Sequence, residues 1–163
     1  MRIRRAQEDD LPGLGDVFVA AASYLVERYR PEQVGHLPLD PGGRLTMYRH
    51  LLATGAVFQA EDPDPVGFSA AVIRDGVWFL SQLWVLPDRH GSGIGSRLLD
   101  EALTWGRGSS AFSVVASPHP AAQIMYLRAS MYPLWSQVEL TGSDVPPPTM
   151  PEGLDDLGEG DQQ

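Results

Sequence analysis

The chain lacks cysteine, lysine and asparagine altogether. Without cysteine there are no disulfides, no thiolate nucleophile and no cysteine-ligated zinc. Without lysine there is no P-loop lysine and no Schiff base. All twelve basic residues are arginine. Lysine and asparagine both need A-rich codons, so a GC-rich genome accounts for the two gaps. No uninterrupted apolar run reaches membrane-spanning length, and no transmembrane helix is expected. Arg2, Arg4 and Arg5 open the chain without a following apolar segment. That argues against a signal peptide and makes a cytoplasmic location the expectation. His36, His50, His90 and His119 lack metal-site spacing, so no metal is expected. There is no G-x-S-x-G nucleophile elbow.

What is present fits one globular domain. The length is 163 residues and the apolar share is 43%, enough for a sizeable core. Net charge is −9, and six of the acids lie between Ser143 and the end, where there is no base. The remainder therefore carries only −3. This acidity argues against nucleic acid as a partner, since phosphate binding needs a basic face. The composition predicts a domain over residues 1–142 and an acidic, Pro-rich mobile tail over 143–163.

The pattern predicts an edge strand over residues 1–5, with Ile3 inward. A helix follows, capped by Asp9 or Asp10 and ending near Tyr29, with Leu14, Val17, Phe18, Ala21, Ala22 and Leu25 as its apolar face. Residues 32–43 read as a loop and 45–53 as a second helix. Strands are predicted over 56–61, 66–74 and 77–86, with Asp75-Gly76 as a tight hairpin turn. The third is almost wholly apolar and reads as the central strand, covered on both faces. Residues 93–105 form a helix buried through Leu98, Leu99, Ala102 and Leu103. A buried strand over 111–116, a helix from Pro118 or Pro120 to Ala129 and a closing strand over 133–140 complete the chain. The order β-α-α-β-β-β-α-β-α-β predicts a mixed α/β (α+β) domain, one sheet with helices on both faces.

The most informative stretch runs from Leu83 to Leu99: buried strand, Pro87, a glycine-rich turn and an amphipathic helix. Free amides and the helix dipole at such a junction bind anions. Gly91, Gly93 and Gly95 let backbone approach a diphosphate closely. A P-loop would need a lysine. A dinucleotide fingerprint would need G-x-G-x-x-G and an acid about 20 residues on. Here the spacing is G-x-G-x-G, and no acid lies near Ser113.

The segment His90-Gly91-Ser92-Gly93-Ile94-Gly95 resembles the signature of the GCN5-related N-acetyltransferase (GNAT) superfamily, with His90 where Gln or Arg is usual. Leu83-x-Val85-x-Pro87 resembles the same family's central strand. The resemblance implies acetyl-CoA as co-substrate. The turn Arg89, His90, Gly91, Ser92, Gly93, Ile94, Gly95 and Ser96 would hold the diphosphate. Backbone at Leu83, Trp84 and Val85 would meet the pantetheine arm and the thioester carbonyl, where this strand splays from the next. It implies too that Tyr126, seven residues after His119, is the general acid beside the sulfur, with His119 in a coenzyme-binding position usually held by Asn. A phenol so placed can protonate a leaving thiolate. The usual Gly-Phe after this helix is replaced by Ser130-Met131.

Ser81 and Gln82 are not bases. Glu61, His90, His119 or a chain of waters remain the candidates for deprotonating an amine. By resemblance the acceptor site would draw on Tyr24, Tyr29, His36, Tyr48 and Trp135, which suits a small-molecule amine; Trp78 and Trp84 read as core. A protein or peptide amine, or a CoA-binding module without catalysis, are the alternatives. A homodimer would fit the family's habit.

Overall fold

Strand β1 (Arg2–Arg5) pairs antiparallel with β2 (Gly55–Glu61), β2 with β3 (Pro65–Arg74), and β3 with β4 (Val77–Val85). Strand β5 (Ala111–Val114) pairs parallel with β4, giving one mixed sheet ordered β1-β2-β3-β4-β5. Helices α1 (Leu11–Tyr29), α2 (Pro41–Thr54), α3 (Ile94–Trp105) and α4 (Pro120–Arg128) complete the described elements, with short 3-10 turns at Glu8–Asp10 and Pro87–Arg89. This computed structural model describes residues 1–31, 34 and 41–135. Met1–Tyr132 form one compact unit and Pro133–Gln163 a second. Of the second, residues 133–135 have no regular structure, and the rest of the expected closing strand lies outside the described residues, as does the stretch after Ser143.

The sheet separates two apolar clusters. On one face, Ile94, Leu98, Leu99 and Ala102 of α3 pack with Phe58, Ala71, Trp78 and Leu80. On the other, Leu11, Leu14 and Val17 of α1 and Tyr48 and Leu51 of α2 pack with Val57, Phe68 and Ala70. Two polar contacts tie α3 down: the Ser69 hydroxyl donates to Leu98 O (3.1 Å) and Trp78 Nε1 donates to Ala102 O (3.1 Å). Gly106 must lack a side chain, because a Cβ there would lie 2.2 Å from the Trp78 ring.

Local chemistry explains most boundaries. Asp75 (φ 50°) and Gly76 (φ 78°) both take the left-handed conformation that a two-residue hairpin demands. Asp10 precedes α1, but its carboxylate accepts from Gln7 N (2.7 Å) and, in bidentate fashion, from the Arg4 guanidinium (2.7 Å to each oxygen). Hydrogen bonding to Arg4 is the largest cause holding this carboxyl below its ordinary value. The pair thus stabilises the fold above that ordinary value, and its contribution is lost as pH falls through the lower folded one.

Four expectations are corrected. The strand covered on both faces is β3, not β4. β4 reads as central from its apolar content, yet only Trp78 and Leu80 are fully buried. The strand over 111–116 ends at Val114, and Ala111, Phe112 and Ser113 are exposed, since β5 has β4 on one side and no described strand on the other. α2 begins at Pro41, whose fixed φ suits a first helical position, so Gly42 and Gly43 are helical rather than loop. In α1 the buried residue of the last turn is Val26, with Leu25 half-buried.

Candidate functional site

The site begins with one extra residue in β4. Leu80 pairs with Ala71 and Gln82 with Ala70, so Ser81 has no opposite number. Such a bulge bends the strand and reverses the facing of every residue after it. Trp78 and Leu80 accordingly join the α3 cluster while Trp84 joins the α1 cluster. β5 pairs only as far as Leu80↔Val114. Beyond that point one edge of β4 has no described neighbour. Leu86 N donates to Val66 O (2.9 Å). By the alternation of an antiparallel ladder, Leu83 and Val85 then turn their N–H and C=O groups to that open edge.

Between the separating strands lies a cleft of about 110 Å³, whose walls include Ser81, Leu83, Val114, Val115, Ser117 and Tyr126. Tyr126, on α4, is 8% exposed. Burial pushes its phenol up to about 12, so it keeps its proton throughout the neutral range. α4 ends in a Schellman motif: Met131 N donates to Tyr126 O (3.0 Å) and Ser130 N to Leu127 O (3.0 Å). Ser130 sits at φ 60°, a conformation that favours glycine.

At the end of the open edge, Pro87–Arg89 make a 3-10 turn and Gly93 caps α3 with φ 82°. The first amide bonding back into the helix is Arg97 N, to Gly93 O (3.1 Å). The amides of Ile94, Gly95 and Ser96 precede it and make no backbone bond. A Cβ added at Gly91 or Gly93 would meet nothing within 4 Å, whereas at Gly95 it would meet Met125 Sδ at 3.6 Å. The turn is therefore an open cradle of free amides, packed on α4 from one side. Ser92 Oγ donates to Arg89 O (2.6 Å) and closes the loop on itself.

The other expected residues fall in different places. Arg89 pairs with Asp62 (3.1 Å) and Asp88 (3.7 Å). His90 Nε2 donates to Val85 O (3.1 Å), and its ring packs edge-on against His119 (centroids 5.4 Å) and Tyr24 (5.4 Å). His119 is the N-cap of α4 and packs against Tyr29 (5.6 Å). Its proton affinity is lowered, first by burial and second by the charge of His90. Tyr48, on α2, is buried against Phe68 (5.5 Å), its hydroxyl without a partner and pushed up to about 12 by burial. His36 lies outside the described residues, and Trp135 belongs to the second unit.

Glu61 does not reach the cleft. It stands on β2, two strands from β4, and accepts from Arg4 Nε (2.7 Å) and Gln59 Nε2 (3.0 Å). The sequence reading also missed a wall on the α1 side of β4. Phe18 meets Trp84 edge-on at 5.1 Å, and Trp84 Nε1 donates to Gln82 Oε1. The polar pair Ser81-Gln82 inside an apolar run was the available signal for the bulge that creates this wall. Among the described residues no group of three or more His, Asp or Glu could hold a metal ion, and no helix is long and apolar enough to cross a membrane.

Solved structures share this arrangement of helices and strands. The aminoglycoside antibiotic 6'-N-acetyltransferase AAC(6')-IG from Acinetobacter haemolyticus matches with a TM-score of 0.62 at 19% identity, over 90% of this chain and 100% of that one. AAC(6')-Iy, in complex with the bisubstrate analogue CoA-S-monomethyl-acetylneamine, matches with a TM-score of 0.61 at 19% identity, over 87% and 97%. The ribosomal-protein-S18-alanine N-acetyltransferase from Escherichia coli gives 0.61 at 18% identity, over 78% and 75%. No curated protein sequence matches the chain. The model of the acetyltransferase (GNAT) family matches residues 20–131, from within α1 to just past α4, so the chain belongs to the GNAT acetyltransferase family.

Proposed function

We propose that the protein moves an acetyl group from acetyl-CoA to a primary amine of a small molecule by direct attack. The observation that carries this reading is one run of backbone that ends at the cleft. Free amides at Ile94, Gly95 and Ser96 lead along the open edge at Val85 and Leu83 to the buried hydroxyl-bearing ring of Tyr126. The residues fit the coenzyme: the cradle has room for a diphosphate, and the unpaired edge suits a pantetheine arm that adds like a strand. The same reading assigns the catalytic domain to residues 1–142, with 143–163 as its tail.

Acetyl-CoA, when bound, supplies an activated thioester. The chain then has three tasks. The turn Arg89–Ser96 holds the diphosphate through backbone amides, with His90 and His119 beside it. N–H groups between Leu83 and Val85 orient the arm and polarise the thioester carbonyl. Tyr126 holds its proton because it is buried, and gives it toward the sulfur as negative charge builds there. The new bond joins the amine nitrogen to the carbonyl carbon, the carbon–sulfur bond breaks, and the amine's surplus proton passes to solvent, from which the Tyr126 phenol regains its own. With no cysteine in the chain, no acyl-thioenzyme forms. The Phe18–Trp84–Gln82 wall lies on the α1 side of the same strand, where an amine with an apolar body would pack.

Release of free CoA thiol, followed with acetyl-CoA and a panel of small amines, tests the reading. Amine-dependent thiol release is expected. Tight CoA binding with no release for any small amine or peptide would contradict it and leave a binding module.

A further inference from the structure

Two residues that depart from the family's motif, His90 and His119, touch each other. Their rings meet edge to face, 5.4 Å between centroids at 80°. Tyr24 packs on His90 and Tyr29 on His119, so four rings form a row joining α1, the phosphate turn and the start of α4. We propose that His90 and His119 form one proton-binding pair at the phosphate turn, and that this pair takes up a proton when coenzyme A binds. This rests on the proposed function, since the diphosphate must sit on the turn.

The hydrogen bond to Val85 fixes the tautomer. A carbonyl oxygen only accepts, so His90 Nε2 (3.1 Å away) carries the hydrogen and Nδ1 is the open proton site. The pair holds one proton rather than two, because imidazolium cations in contact repel. The environment of His119 acts in the same direction: burial first, and then the charge of His90, lowers its proton affinity. Among the described residues, the other rings that face the pair are the phenols of Tyr24 and Tyr29. Within the turn, Asp88 and Arg89 flank His90 in sequence, and both are engaged: Arg89 pairs with Asp62 and with Asp88. Arg97, one turn into α3, has its guanidinium against the Met1 sulfur (4.0 Å). The arginine adjoining His90 in sequence is thus already matched by carboxylates. A diphosphate arriving on the turn brings two negative charges beside an imidazole pair, a group that ordinarily titrates near neutrality. Those charges raise the pair's proton affinity in the complex above that in the free protein. Protons are then taken up on binding, and by reciprocity binding tightens as pH falls through the window between the two affinities. Outside that window the effect is flat.

Isothermal titration of CoA into the full chain at pH 7, in buffers of different ionisation enthalpy, reads the proton count directly. The ligand's 3′-phosphate titrates near pH 6 on its own account, so the H90Q variant is the comparison that cancels it. Wild type is expected to take up about half a proton more than H90Q, and its gain in CoA affinity from pH 8 to pH 6 should exceed that of H90Q by roughly three- to tenfold. In H119N the pair's competition is removed, and the uptake should persist and move to higher pH. Equal uptake in wild type and H90Q, loss of uptake in H119N, or an H90Q variant that folds but no longer binds CoA would each overturn the inference. If folded wild type gives no CoA binding heat at all, the proposed function itself fails.

Discussion

β3 and the far half of β4 lie side by side in one sheet and face opposite circumstances. β3 has a hydrogen-bonded neighbour along both edges and an apolar cluster on each face. β4 matches it as far as Leu80; then Ser81 bulges, β5 leaves, and the edge at Leu83 and Val85 has no described strand beside it, with Leu83 lining the cleft. The first region uses its polar backbone groups up on itself. The second keeps them for something else. Stability and chemistry are thereby separated by a few residues of one strand, and substitutions on either side of Ser81 should have different consequences.

The largest expected effect is at the end of the open edge. Gly93→Glu puts a carboxylate at the cradle, at a φ of 82° that disfavours side chains. CoA affinity measured by calorimetry should fall by at least about a hundredfold, while strain from the left-handed backbone costs only about 1–2 kcal/mol of stability. Phe68→Ala tests the closed region. Phe68 is fully buried in β3, and its loss should cost about 3–5 kcal/mol in denaturant unfolding, with unchanged CoA affinity in the molecules that remain folded. Tyr126→Phe should lower kcat about a hundredfold and leave CoA affinity nearly as it was. Equal loss of affinity and turnover would place the phenol in binding rather than proton transfer. The smallest effect is at Ser130, whose φ of 60° favours glycine. Ser130→Gly should raise stability by about 0.5–1 kcal/mol without altering turnover.

The comparison between the two regions also marks what could be read from the sequence. The Asp75-Gly76 hairpin, the α3 stripe and the turn before it rest on local rules, and the structure has each in its expected place. The bulge rests on one residue in a strand whose apolar run hides any period, so a simple alternation puts Trp78, Leu80 and Trp84 on one face when they occupy two. β5 departs from its expected burial for a related reason. Val114 and its neighbours look like core by composition, but exposure depends on strand order, which no local pattern fixes. Glu61 was a candidate base on residue type alone; its pairing with Arg4 follows from the β1↔β2 register. The contact between His90 and His119 needs α4 to fold back over the turn, and only the tertiary structure brings the two together.

Two-dimensional amide NMR during a CoA titration tests the central claim most directly. Shifts should be largest at Gly91, Gly93, Ile94, Gly95 and Ser96, followed by Leu83 and Val85, with β3 amides such as Ala70 little changed. CoA binding that leaves the Gly91–Ser96 amides unmoved and perturbs another surface would contradict the account.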